Sequence, residues 1–451
     1  MPSLLAGCYL VHGRADPGDE GSSLASQAPR DPFTDFAALG AVVDVPEELP
    51  DTRDCTTRLL ETRVTALPVD MLFVVDNSGS MREEQAALAR ELPRMVELLS
   101  SGDRDGDGQA DFPPVADLHL GVVSVDMGLV GIPGIPGCEG LGDDGILNTA
   151  PVMRGIGCEP SYPPFISYLA GQHEPRQVAE DFACVATLGT EGCGFEQQLE
   201  AGLKALWPSL DIDPVSGEVI EPNRIRFLGD AHGFGRLGHG DAENAGFLRN
   251  DSPMGPSLVA VIVVSDEEDC SSFETWHFTP EQYLRAGDPL ADQDLNLRCF
   301  YNPDNLYALR RYENGFRALR PFSPELFFFA AIVGVPADLV DSDARAAFDL
   351  TQAAERDRYY DSILDDERMQ QRPDPTRTPE EGGQLVPSCE SPEGKAYPPR
   401  RFVELARSLG PGSVVQSICQ SDFSPAIDAI VGTLSDGITV ATCAAEGLVE
   451  P

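Results

Sequence analysis

Asp76, Ser78 and Ser80 place one carboxylate and two hydroxyls at two-residue intervals in the stretch MLFVVDNSGSM, residues 71–81. Short side chains with hard oxygen donors suit Mg²⁺, Mn²⁺ or Ca²⁺ rather than zinc. Taken alone, the two serines could equally be caps of the helix that follows. Further along, Asp103, Asp105, Asp107, Gln109 and Asp111 take positions 1, 3, 5, 7 and 9 of an EF-hand-type calcium loop, with Gly108 at the turn position. Position 12 is Pro114 where a bidentate Glu belongs, which leaves Asp117 as a candidate for that ligand. Two more oxygen-bearing loops follow, one with Gly189-Thr190 and one with Ser265-Asp266. Motifs of other chemistries are missing. There is no G-x-S-x-G, and His173-Glu174 lacks the second histidine of H-E-x-x-H. No glycine-rich loop carries the lysine of a phosphate cradle, and no general base can be placed beside an ion. An enzyme, including a metal-dependent hydrolase, is therefore disfavoured.

Buried strands must carry these loops. Residues 71–75 are an almost uninterrupted apolar run, as in a strand covered on both faces, and it stops at Asp76. Behind it Leu88, Leu92, Met95, Val96 and Leu99 recur at helical spacing. Residues 118–125, 258–264, 326–333 and 413–418 read as further strands. Helices are expected over 195–206, 303–319, 401–409 and 425–434. The calcium-type loop joins the first helix to the second strand, so it belongs at the opposite end of the sheet from Asp76. The His232 and His239 loop reads as surface, and Glu267, Glu268 and Asp269 read as a solvated acidic rim around an exposed Asp266.

D-x-S-x-S after a buried strand, a Gly-Thr pair before an amphipathic helix, and a central strand ending in Asp266 occur in this order. Together they resemble the metal-ion-dependent adhesion site of von Willebrand factor A (VWA) domains, notably those of secreted and lipoprotein bacterial VWA proteins. The resemblance implies a doubly wound, mostly parallel α/β sheet over residues 65–440, with insertions at 128–164, 211–250, 270–300 and 336–400. It also implies direct ion contacts from Ser78, Ser80 and Thr190, with Thr187 as the alternative to Thr190, and water-mediated contacts from Asp76 and Asp266. Mg²⁺, or Mn²⁺ or Ca²⁺, at that site would take an acidic side chain of a partner protein, while Ca²⁺ at residues 103–111 would be structural. The other reading is a calcium-stabilised envelope or matrix protein whose site is not adhesive.

The chain's 74 acidic residues outnumber its 32 basic ones, for a net charge of −42, which excludes nucleic-acid binding through phosphate contacts. Eleven scattered cysteines without paired C-x₂-C motifs point to disulfides and an oxidising, extracytoplasmic compartment. Cys138–Cys158, Cys184–Cys193 and Cys270–Cys299 are the expected pairs, the second closing a loop around Thr190. Leu5-Ala6-Gly7-Cys8 resembles a lipobox, with Cys8 the lipidated residue, although almost no hydrophobic region precedes it. Residues 1–8 then form a truncated signal, 9–60 a tether and 441–451 a tail, giving a cell-surface or outer-membrane lipoprotein attached by its lipid, or a secreted protein. No apolar stretch long enough to span a membrane is expected.

Overall fold

The computed structural model describes residues 52–62, 66–152, 157–213, 216–220, 224–228, 237–250, 255–378, 382–392 and 394–447. Cys8, residues 9–51 of the expected tether and His232 lie outside them. The first half runs α1 (Arg53–Thr62), β1 (Val69–Val75), α2 (Arg82–Ser101), β2 (Asp117–Ser124), β3 (Ile166–Leu169), α3 (Pro175–Ala186), α4 (Gln198–Leu206) and β4 (Leu258–Val264). The second runs α5 (Arg298–Tyr301), α6 (Arg310–Arg317), β5 (Phe327–Val333), α7 (Ser342–Ala346), α8 (Ala353–Leu364), β6 (Cys389–Glu390), β7 (Lys395–Ala396), α9 (Arg400–Leu409), β8 (Ser413–Ser417) and α10 (Ser424–Ala445).

Six strands form one sheet in the order β3-β2-β1-β4-β5-β8, with β6 and β7 paired apart from it. All its pairings are parallel except β2 with β3. Every residue of β1, β4 and β5 is buried, which is why these strands read as continuous apolar runs rather than alternating ones. Their side chains alternate between two cores. Met71, Phe73 and Val75 meet α2, α3 and α10 on one face. Leu72 and Val74 meet α4, α6, α8 and α9 on the other. The chain fills β1, β2 and β3 outward in one direction, then returns to build β4, β5 and β8 in the other. β1 and β4 are thus neighbours across the point where strand order reverses, and their carboxyl ends open one crevice.

Several expected boundaries shift. The end of the tether is helical, because Cys55 and Leu59 of α1 pack on Cys443, to which Cys55 is bonded. Residues 441–445 are the last turn of α10, with Val440, Ala441 and Cys443 buried, rather than a tail. By length and composition α10 is apolar enough to cross a membrane, but two thirds of that stretch is buried against the rest of the protein. The segment expected to be irregular over 336–400 contains α8, whose Tyr359, Tyr360, Ile363 and Leu364 complete a core.

The disulfides correct two pairings. Cys138 bonds Cys193 and Cys158 bonds Cys184, in place of Cys138–Cys158 and Cys184–Cys193. The cause is tertiary. Asp126, just past β2, accepts hydrogen bonds from Gly128 N (2.8 Å) and Cys193 N (3.3 Å), which brings the loop holding Cys193 to the insertion holding Cys138. Cys184 sits in the last turn of α3, where it meets Cys158. Cys270–Cys299 forms as expected, and Cys389 bonds Cys419.

Candidate metal centre

Asp76 directly follows β1, and its backbone N–H continues the ladder to Val264 O at 3.0 Å. The side chain is fully buried. Asp76 Oδ1 accepts the Ser78 N–H at 2.8 Å and Oδ2 accepts the Ser265 hydroxyl at 2.6 Å. Ser265 is held in turn by Gln198 Nε2 at 2.9 Å, so the first residue of α4 fixes the junction between the β1 and β4 loops. Ser78 Oγ lies 3.3 Å from Ser80 Oγ, and Ser80 lies beside the Asp266 carboxyl. The structure therefore brings Asp76, Ser78, Ser80 and Asp266 to one place at the carboxyl end of the sheet.

Thr190 is placed differently. Gln85 of α2 donates to Asp76 O (2.7 Å) and Gly189 O (2.8 Å) and accepts from Gly189 N, clamping this loop to the helix flank. Gly192 N bonds Asn77 O, and a Cβ at Gly192 would lie 2.3 Å from the Asn77 side chain. Thr190 and Thr187 then line a separate cleft with Arg82, Gln85 and Val152. The same loop lines the cavity beside Ser78 and Ser80 with Gly194, Phe195 and the acidic Glu196. Glu196 was not singled out in the sequence. Its signal was modest, an acidic residue just ahead of an amphipathic helix.

Asp266 is 2% exposed and Asp269 is fully buried, while Glu267 and Glu268 are half-buried, so Asp266 is not exposed and Asp269 takes no part in a solvated rim. Asp269 bonds Arg401 Nε at 3.0 Å and Leu199 N at 3.0 Å. Glu268 accepts from Arg401 N and Gln371 Nε2, and its carboxyl is pushed up to about 8 by burial. Glu267 also lines the cavity, close to Glu196, and burial and then the Asp76 charge raise it to about 7. Burial, followed by Glu267 and Asp76, holds Glu196 well above the usual range, and burial followed by Asp76 holds Asp266 there too. Burial also raises Asp76.

These residues fit a hard divalent ion. Asp266 Oδ1 is buried without a hydrogen-bond partner, an expensive state for a carboxylate that an adjacent cation relieves. Adjacent ligands of one octahedral ion stand about 3 Å apart for Mg²⁺ and about 3.4 Å for Ca²⁺, and the two serine hydroxyls match that range. Ser80 is exposed while Ser78 is buried, so the pair has one side open to the cavity.

The calcium-type loop lies at the other end of the sheet, between the end of α2 and the start of β2. Carboxylate oxygens of Asp103, Asp105 and Asp111 lie within 4.8 Å of one another. Asp103 accepts from Gly106 N and Gly108 N, Asp105 from Asp107 N, and Asp111 from Arg104 N. Asp107 caps Gln109 N and also receives the Gln109 amide. Asp117 is engaged elsewhere, with its carboxylate 2.5 Å from Arg249, so it does not supply the missing ligand. His239, expected at the surface, is buried between Asp144 (3.1 Å) and Glu243 (2.6 Å), and Asp144 also pairs with the buried Lys204.

Comparison with protein-family models and with curated proteins finds no match to this chain.

Proposed function

We propose that the chain is an extracytoplasmic, VWA-like binding protein and not an enzyme. In this reading Asp76, Ser78, Ser80 and Asp266 hold a divalent cation, Mg²⁺ first and Mn²⁺ or Ca²⁺ in its place. The cation supplies a Lewis-acidic position for an acidic side chain of a partner protein. One observation carries the reading. Two hydroxyls at ligand spacing face an open cavity at the reversal of strand order, with the unpartnered Asp266 oxygen beside them. Burial raises the Glu196 and Glu267 carboxyls, the second to about 7, which favours proton binding beside the ion site. Neither Thr190 nor Thr187 is needed for this set, since both line the adjoining cleft.

Five disulfides among the described residues suit an oxidising compartment. They use ten of the eleven cysteines and leave Cys8, which fits lipid attachment at the cell surface. Ca²⁺ at Asp103, Asp105 and Asp111 is assigned a structural role. The crowding of carboxylates favours one other reading, a structural ion fully coordinated by protein in an envelope or matrix protein.

Titration calorimetry of the metal-free protein with Mg²⁺ and Mn²⁺, followed by an acidic peptide, tests the proposal. Expected are one cation site lost in Ser78→Ala and peptide binding only when that site is filled. Cation binding without any peptide binding favours the structural reading, and no cation binding at all defeats both.

A further inference from the structure

The cavity at the proposed ion site is larger than a carboxylate requires. It measures about 460 Å³ and continues from Ser78 and Ser80 into a recess walled by two insertions. That volume lies in the range of pockets that enclose whole ligand groups, roughly 300–1,000 Å³. The recess presents Leu297 and Phe300 from one insertion, Pro303 just beyond it, and Leu385 and Tyr397 from the other.

The walls are preformed. The Cys270–Cys299 bridge closes the first insertion, and the buried Arg298 donates to His277 O (2.8 Å) and Leu290 O (3.0 Å) within it. The second insertion approaches so closely that a Cβ at Gly383 would lie 2.8 Å from Leu297 and 2.9 Å from Asp294. The cations of the recess are committed to the protein itself. Arg401 binds Asp269 and Tyr307 O, and Arg400 binds Leu364 O and Met369 O. A second acidic group would find Glu268 and Glu404 there, whereas an apolar side chain finds Leu297, Phe300 and Leu385 among polar neighbours such as Asn296 and Gln384.

Resting on the reading of Ser78 and Ser80 as ion ligands, we propose that this recess is a side-chain pocket. The partner segment then carries a bulky apolar residue, Phe or Leu, adjacent to the acidic residue that meets the ion. Burying such a side chain on a preformed surface tightens binding by about tenfold to a hundredfold.

Fluorescence anisotropy on the full chain tests this with the labelled peptides GGDFGG, GGFDGG, GGDGGG and GGNFGG, in Mg²⁺ and in EDTA. One of the two Asp/Phe peptides should bind at least tenfold tighter than GGDGGG, only in Mg²⁺, and GGNFGG should not bind. Phe300→Ser and Leu385→Gln, each checked for a cooperative melt, should erase the Phe advantage and keep the affinity for GGDGGG. Equal Mg²⁺-dependent binding of the Phe and Gly peptides overturns the pocket and leaves the ion reading intact. Binding that ignores EDTA overturns the ion reading, and the paired recognition with it. No binding of any peptide at millimolar concentration overturns the pairing as well.

Discussion

Glu267→Gln should stabilise the metal-free protein at neutral pH. The Glu267 carboxyl is raised from 4.5 to about 7, first by burial and then by the Asp76 charge. A carboxyl with a raised folded-state pKa binds its proton more tightly when folded. Its contribution is therefore complete below pH 4.5 and is lost as the pH climbs to about 7. That gap corresponds to about 3 kcal/mol, an upper figure because Glu267 titrates together with Glu196. For roughly 400 ordered residues the unfolding entropy is about 0.8 kcal/mol/K, so the loss equals about 4 °C in Tm. Melting curves in EDTA at pH 5 and pH 7.5 read it directly. The parent should lose about 3 °C more than Glu267→Gln over this interval, and the difference between the two reports the Glu196 and Glu267 pair. Mg²⁺ at a hundredfold excess over its Kd should restore about 2.7 kcal/mol, because it binds only the folded state. It should restore more at pH 7.5 than at pH 5, where protons compete for the same oxygens. Parallel pH dependence of parent and variant in EDTA would refute the claim that Glu267 is confined among like charges.

Thr190→Val should leave the Mg²⁺-induced rise in Tm unchanged, while Glu196→Gln should alter it, as measured by the same melts. Asp103→Ala with Asp105→Ala should abolish stabilisation by Ca²⁺, and Mg²⁺-dependent peptide binding should persist at temperatures where the variant is folded. Cys55→Ser with Cys443→Ser should cost about 2–5 kcal/mol in denaturant unfolding, because the bridge closes nearly the whole chain. Cation binding at the other end of the sheet should not change.

The local signals were legible because they belong to single elements. An apolar run buried on both faces announces itself without reference to any partner, and β4 has the expected bounds, Leu258–Val264. The same holds for the polar stop at Asp76 and the glycine-spaced carboxylates of residues 103–111. Alternation of strands and helices further implied a mostly parallel sheet, and the reversal between β1 and β4 follows from the order in which the chain builds it.

What a residue faces was not legible, since that depends on segments distant in the chain. Gln85, on α2, decides that Thr190 lies on the helix flank, and Glu196 takes the cavity instead. Asp269 looked solvated until Arg401, 132 residues later, covered it. Pairing by nearness in sequence failed for Cys184 and Cys193 because Asp126, far from both in the chain, draws the Cys193 loop to Cys138. Sequence by itself determined which atoms could bind an ion and at which end of the sheet. Only the tertiary structure decided which of them meet, because burial and charge at the site are set by insertions folded back from more than a hundred residues away.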